Sequence, residues 1–158
     1  NSYDYKIYNE WLDENVFSIG FFGKTSNSLA GEDIKLSDRL FLPSSKLRGF
    51  ESGKVGPKDG ADYIGGNYAA SINIATSLSQ ILPNSQNTNF SVFFDAANVW
   101  GIDYSSSLSD ESKIRSSIGI ALDYLTPIGP LSFSLSEPIT KGKNDITESF
   151  RFNLGTTF

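Results

Sequence analysis

The chain has 158 residues, of which 39% are hydrophobic, so it carries enough apolar surface to fold. Its formal net charge of -5 and the absence of any run of Lys or Arg argue against nucleic acid as a partner. Because the sequence contains no cysteine and no histidine, disulfides, thiolate chemistry and imidazole ligands are excluded, and we expect no metal and no cofactor.

The composition favours β-structure and leaves a membrane location open. Twelve Phe, seven Tyr and two Trp occur beside abundant Ser, Asn and Gly, a mixture that favours strands and turns. No stretch approaches the roughly 18 consecutive apolar residues of a membrane-spanning helix. Barrel strands, in contrast, alternate lipid-facing and lumen-facing side chains and look polar on average. Since the chain begins at Asn1 without a signal peptide, we expect it to be part of a longer protein.

Two-residue periodicity predicts the strands in chain order. After a first strand and a turn-like segment at 13–15, the second strand places Phe17, Ile19 and Phe21 on one face. Seven segments alternate in this way, most of them near the roughly 9–11 residues that a tilted strand needs to cross hydrocarbon. They are 3–11, 17–22, 68–78, 90–100, 116–126, 131–139 and 148–158.

The connections between these strands alternate in length. The short ones are 13–15, 83–89 and 127–130, and the long ones are 26–66, 101–113 and 139–147. Outer-membrane barrels have short turns at one end and long loops at the other, whereas a soluble sandwich usually has short connections at both ends. We therefore predict an all-β antiparallel meander over 1–158 that forms part of a transmembrane β-barrel. The alternative is a soluble β-sandwich binding module. Seven strands are too few to close a large barrel, so we expect an open sheet.

The segment 26–66 is far longer than an ordinary loop, which indicates a functional or a disordered region. Within it, Leu47-Arg48-Gly49-Phe50 combines a glycine that permits a sharp turn with a guanidinium that offers five donors. Asp95 lies in an apolar strand, where a carboxylate would be costly facing lipid, so it should face the lumen and pair with a cation there. The loop is long enough to fold back and bring Arg48 to Asp95; the alternatives are a solvated loop arginine and a lumen-facing acid solvated by channel water.

Catalysis is not expected. Asp95, Asp123 and Glu137 are carboxylates of the kind that glycosidases use in pairs, but they lie on different predicted strands without a spacing signal. A phosphate loop, a nucleophile elbow and metal-ligand spacing are also absent from the sequence. We therefore predict that the chain is not an enzyme.

Six motifs occur in an order that resembles the C-terminal half of the barrel of the BamA family. They are LRGF (47–50), VGP (55–57), IGGN (64–67), FFDAANVW (93–100), IGIALDYLTPIGPLSFSLSEPI (118–139) and ESFRFNLGTTF (148–158). The family's barrel is large, closed and preceded by periplasmic POTRA domains, so the predicted strands would match its last seven. The resemblance implies assembly and insertion of β-barrel proteins in the bacterial outer membrane. The implied partners are client outer-membrane proteins, accessory outer-membrane lipoproteins and lipid.

The resemblance also implies roles for individual residues. The long loop would fold into the lumen with Arg48 at its tip bonded to Asp95, and Gly65, Gly66 and Asn67 would form the junction with the next strand. In this family the last strand pairs weakly with the first, leaving a lateral seam at which client strands add by backbone hydrogen bonds. The β-signal of that strand would be carried by Phe150, Phe152, Leu154, Gly155 and Phe158.

Two positions depart from the family pattern. Ala75 stands where BamA-like proteins often carry a second lumenal acid, so the resemblance does not predict a three-member network around Arg48. Ser44-Ser45 replaces the Gly-Gly pair that commonly precedes the loop motif. A TamA-like or two-partner secretion barrel shares an RGF- or RGY-type loop and is the alternative function among transporters. The VGP and IGGN spacing and the FNLGTTF ending favour the BamA family.

Overall fold

The computed structural model describes residues 1–10, 15–28, 33–81, 87–102, 108, 110, 112–127 and 129–155. They form one antiparallel seven-stranded sheet whose strands pair in chain order, apart from two short strands inside the long loop. The strands are β1 (Ser2–Glu10), β2 (Val16–Thr25), β5 (Tyr68–Ser77), β6 (Thr88–Trp100), β7 (Arg115–Thr126), β8 (Gly129–Thr140) and β9 (Phe150–Leu154). The predicted antiparallel meander is confirmed.

The remaining regular structure is short. A two-residue strand β3 (Lys58–Asp59) pairs with β4 (Asp62–Tyr63) inside the long loop, a hairpin that the sequence did not predict. Two 3-10 turns, Leu36–Asp38 and Ser79–Ile81, complete the elements. None of the helical segments in the described ranges has the length and apolar character needed to cross a membrane.

The two faces of the sheet are chemically different. On β6 the odd positions Ser91, Phe93, Asp95 and Ala97 are buried, because the long loop covers this face, which we call the inner face. The opposite, outer face carries large apolar side chains, each at least 36% exposed: Ile118, Ile120, Tyr124, Phe133, Leu135, Phe150, Phe152 and Leu154. Phe150, Phe152 and Leu154 of the last strand therefore point outward. A row of exposed apolar side chains of this kind is typical of a sheet that faces lipid.

The hydrophobic core lies between the long loop and the inner face, not between two sheets. Its buried cluster takes Leu40, Leu42, Leu47, Phe50 and Val55 from the loop and Phe22, Ala69, Ala97 and Val99 from the sheet. A sandwich requires a second sheet on the apolar face, but in the described part of the chain the second sheet has only two strands, β3 and β4. The sandwich alternative is therefore wrong.

The C-terminal strand is shorter than predicted. The alternating pattern indicated 148–158, but β9 ends at Leu154, because Gly155 turns the backbone to a φ of 105°. Phe158, which the β-signal prediction includes, lies outside the described residues. In the described structure β1 and β9 remain at opposite edges, so the sheet is open, as expected for seven strands.

A charged side chain on the outer face should lower the free energy of unfolding more at the middle of a strand than at its end. We predict that Ile120→Arg, at the centre of β7, lowers the free energy of unfolding of the intact membrane-inserted protein by about 2–4 kcal/mol. Tyr124→Arg, on the same face beside the short β7–β8 turn, should cost about 0–1 kcal/mol. Urea titration in lipid vesicles measures both values, and equal costs would contradict a lipid-facing outer surface.

Candidate functional site

The long loop is closed at its base by the predicted glycine junction. Leu40 and Gly66 exchange two backbone hydrogen bonds, with N–O distances of 2.8 and 2.9 Å. Gly65 has a φ of 68°, and a Cβ there would lie 2.5 Å from the Leu40 carbonyl oxygen, so a glycine is required. Asn67 is buried, and its N–H donates to the Gly101 carbonyl at 3.0 Å. These bonds fix the end of the loop, where the chain rejoins the sheet at β5.

Arg48 and Asp95 form a bidentate ion pair on the inner face. The Arg48 Nε lies 2.7 Å from Asp95 Oδ2 and the Nη2 lies 2.8 Å from Oδ1, while the Arg48 backbone N–H donates to Oδ2 at 3.0 Å. The Asp95 side chain is fully buried, and the Arg48 guanidinium carbon stacks 3.4 Å from the centre of the Phe93 ring. Such a buried carboxylate is stable only when it is paired and fully hydrogen-bonded, and here three donors come from one residue of the loop.

Asn73 is a third member of this network, and the sequence did not predict it. Its Nδ2 donates to Asp95 Oδ1 at 2.8 Å and to the Lys46 carbonyl at 2.9 Å. Asn73 lies directly opposite Asp95 in the β5–β6 register, whereas Ala75 pairs with Phe93 one pleat away. A three-member network therefore forms although Ala75 replaces the acid, because an amide on the adjacent inner-face position bonds to Asp95. With Asn73 included, the carboxylate accepts four hydrogen bonds, which fills its capacity.

The other residues of the loop motif fit tightly against the sheet. Gly49 has a φ of 88°, and a Cβ there would lie 3.0 Å from the Ser117 Cβ. The Ser117 hydroxyl donates to the Arg48 carbonyl, so a side chain of β7 also binds the motif. Leu47 and Phe50 are 3% and 1% exposed and belong to the core cluster. The motif thus combines an ion pair, a close backbone approach and two apolar side chains.

A second buried ion pair, which the sequence analysis missed, lies at the end of the sheet that carries the long connections. Arg115 Nε lies 2.8 Å from Asp145 Oδ2, and both side chains are 1% exposed. Arg115 also donates to Asn98 Oδ1 at 2.6 Å, and Asp145 accepts the Gly56 N–H at 3.3 Å. The pair therefore joins β6, β7, the long loop and the β8–β9 connection. No local sequence signal marks it, because Arg115 and Asp145 are 30 residues apart.

Tyr63 adds a contact between the same two loops. Its hydroxyl donates to the Asn144 carbonyl, and nearby Glu51 donates its N–H to the Ile146 carbonyl at 2.9 Å. Partial burial raises the pKa of Tyr63, and the carboxylates of Asp145 and Glu51 raise it further. Both effects favour the neutral phenol, which is the form that donates this hydrogen bond.

The remaining predicted residues lie apart from the loop motif. Phe150, Phe152 and Leu154 point to the outer face, where the rings of Phe133 and Phe152 pack with their centres 5.0 Å apart. Gly155 follows them and donates its N–H to the Pro130 carbonyl at 3.0 Å.

The three carboxylates considered for catalysis do not converge. Asp95 is paired with Arg48, Asp123 accepts a 2.6 Å hydrogen bond from Ser132, and Glu137 is exposed on the outer face. The described residues contain no group of three or more His, Cys, Asp or Glu side chains that could bind a metal ion.

Comparison with known proteins identifies the family. The family model described as the Omp85 superfamily domain matches residues 2–158. The chain belongs to the Omp85 superfamily. It is therefore a segment of an outer-membrane β-barrel, and the resemblance to the BamA barrel that the motifs indicated is confirmed.

Named relatives and a solved structure agree with this assignment. The outer membrane protein assembly factor BamA of Neisseria meningitidis serogroup B is 32% identical over 141 residues, covering 71% of this chain and 17% of that protein. A SAM50-like protein of Schizosaccharomyces pombe is 30% identical over 141 residues, covering 84% of this chain and 29% of that protein. The crystal structure of BamA from Haemophilus ducreyi lacking POTRA domains 1–3 superimposes with a TM-score of 0.84 and 28% identity, covering 96% of this chain and 33% of that one. The chain thus spans less than a third of these curated relatives.

Removing one partner of the Arg115–Asp145 pair should be strongly destabilising. We predict that Asp145→Asn lowers the free energy of unfolding of the intact protein by about 3–5 kcal/mol, because it removes the carboxylate charge that faces the buried Arg115 guanidinium. The control is Asp123→Asn, which affects a half-buried carboxylate bonded to Ser132 and should cost about 1 kcal/mol or less. Urea titration in lipid vesicles compares the two, and a cost for Asp145→Asn no larger than the control's would show that the pair is not structural.

Proposed function

We propose that this chain is the C-terminal part of a barrel that assembles and inserts β-barrel proteins into the bacterial outer membrane. The observation that carries the proposal is the ion pair between Arg48 and the fully buried Asp95 carboxylate, which fixes the long loop across the inner face of an Omp85 chain. The Neisseria meningitidis relative, named as an outer membrane protein assembly factor, and the BamA crystal structure support it.

The proposed work is templated strand pairing without a covalent step. An exposed strand edge offers a row of unpaired N–H and C=O groups, to which a client strand adds by backbone hydrogen bonds. The docked loop would stabilise the inner face of the barrel wall through its apolar core and its ion pairs. The outer face, with its exposed apolar side chains, would remain in lipid.

The proposal also assigns partners. The clients would be outer-membrane proteins, and accessory outer-membrane lipoproteins and outer-membrane lipid would complete the machinery. The terminal segment, with Phe150, Phe152, Leu154, Gly155 and Phe158, would act as the β-signal and supply one side of the lateral seam. The site residues 47–50, Asp95 and the junction 65–67 would act by holding the loop.

The ion pair should matter as a pair. We predict that Arg48→Ala and Asp95→Ala each reduce barrel assembly in cells, since each leaves the other charge incompletely paired at a cost of about 1–3 kcal/mol. The double substitution should be less harmful than the sum of the two single losses. Asp123→Ala, which removes another inner-face carboxylate without a contact to the loop among the described residues, is the matched control.

The readout is the amount of folded client barrel in the outer membrane at equal levels of the variant protein. Fully additive defects of Arg48→Ala and Asp95→Ala would contradict the pair's role, and a normal assembly level in both single variants would contradict the proposed function of the loop.

A further inference from the structure

Arg151 connects the terminal strand to the long loop. It lies on β9 and points to the inner face, where its side chain is only 10% exposed. Its Nη1 donates to the Ser44 carbonyl at 2.8 Å, its Nη2 donates to the Phe50 carbonyl, and its Nε lies 2.9 Å from Glu148 Oε2. One guanidinium therefore binds two carbonyls of the loop and a carboxylate beside its own strand.

The two carbonyls lie on either side of the loop motif. Ser44 precedes and Phe50 ends the segment that Arg48 fixes to Asp95 on β6. The loop is thus held from β6 by one ion pair and from β9 by Arg151, three strands apart in the sheet. A displacement of the loop from Asp95 must stretch or break the bonds to Arg151.

β9 is the strand on which such bonds have the largest effect. It pairs with β8 over only five residues, from Leu131↔Leu154 to Leu135↔Phe150, whereas β7 and β8 pair over more than twice that length. With few backbone hydrogen bonds of its own, β9 should open locally at a low free-energy cost. Charge-assisted bonds from a largely buried guanidinium add substantially to that cost.

We infer that Arg151 is a positioning residue that couples the docked state of the loop to the order of the terminal strand. When the loop is docked, Arg151 holds β9 in place beside β8. When the loop is released, the pairing of β9 with β8 loosens and the edge of β9 becomes available. The functional meaning rests on the proposed function, in which client strands add at this strand. The coupling itself is a property of the chain and can be measured without a client.

The test is amide hydrogen exchange of residues 150–154 in the full-length protein in lipid bilayers. We expect Arg151→Ala to accelerate exchange in β9 about tenfold. Asp95→Ala, although it lies on β6, should accelerate exchange in β9 similarly, because it frees the loop. The double variant should exchange no faster than the faster single variant. Independent effects, in which the two accelerations multiply, would overturn the inference and leave Arg151 with a local role only.

Two further variants keep the result interpretable. Asn153→Ala changes the next inner-face position of β9, where no bond to the loop occurs among the described residues, and it should leave the response of β9 to Asp95→Ala intact. Arg151→Lys keeps the charge but not the fork of donors, so it should restore only part of the coupling. If β9 exchanges in Arg151→Lys as it does in the wild type, both with and without Asp95→Ala, then the two hydrogen bonds to Ser44 and Phe50 do not couple the loop to the strand, and the inference fails.

Client insertion by the same variants separates this inference from the proposed function. If the exchange rates show that Arg151→Ala and Asp95→Ala act independently while the wild-type protein inserts clients normally, the role of Arg151 is overturned and the proposed function stands. If the two substitutions act on the same coupling but Arg151→Ala still inserts clients normally, the link between loop and strand is supported and the order of β9 has no part in the proposed mechanism.

Discussion

A buried carboxylate in the middle of a sheet imposes the arrangement of the rest of this structure. Asp95 is fully buried in the middle of β6, and an ionised group in that position requires a cation and a complete set of hydrogen bonds. Arg48 supplies the cation and three of the bonds, but only if a loop that begins after β2 crosses the inner face to reach β6. Once there, the loop brings Leu47 and Phe50 into the core.

The loop acts as the second layer of the fold. Its described residues bond or stack with side chains on six of the seven main strands, namely Asp4, Phe22, Asn73, Asp95, Ser117 and Arg151. The core therefore forms on the inner side, and the outer side remains apolar and exposed. This distribution suits a barrel wall in lipid, since each face meets a different medium. In this arrangement the loop stabilises the barrel wall, and the edge strands remain available for strand pairing.

The strands were predictable because alternation reports directly on which medium each side chain faces. The Arg48–Asp95 contact could also be predicted, because the alternation along the strand places the Asp95 side chain on the inner face. Asn73 required the β5–β6 register, which no sequence pattern specifies across an irregular connection. The Arg115–Asp145 pair joins two distant segments without periodicity, and the acceptors of Arg151 on the loop are backbone carbonyls, which have no residue-type signature. The early end of β9 depends on the positive φ of Gly155, which composition cannot distinguish from an ordinary strand glycine.

The most direct test of the central claim is the exchange rate of the Arg48 backbone amide, measured by NMR in the intact protein in a bilayer. This N–H donates to Asp95, so the account predicts strong protection in the wild type, its loss in Asp95→Ala and its retention in Asp123→Ala. Exchange of the Arg48 amide at the rate of an unprotected loop in the wild-type protein would contradict the docking of the loop on the inner face.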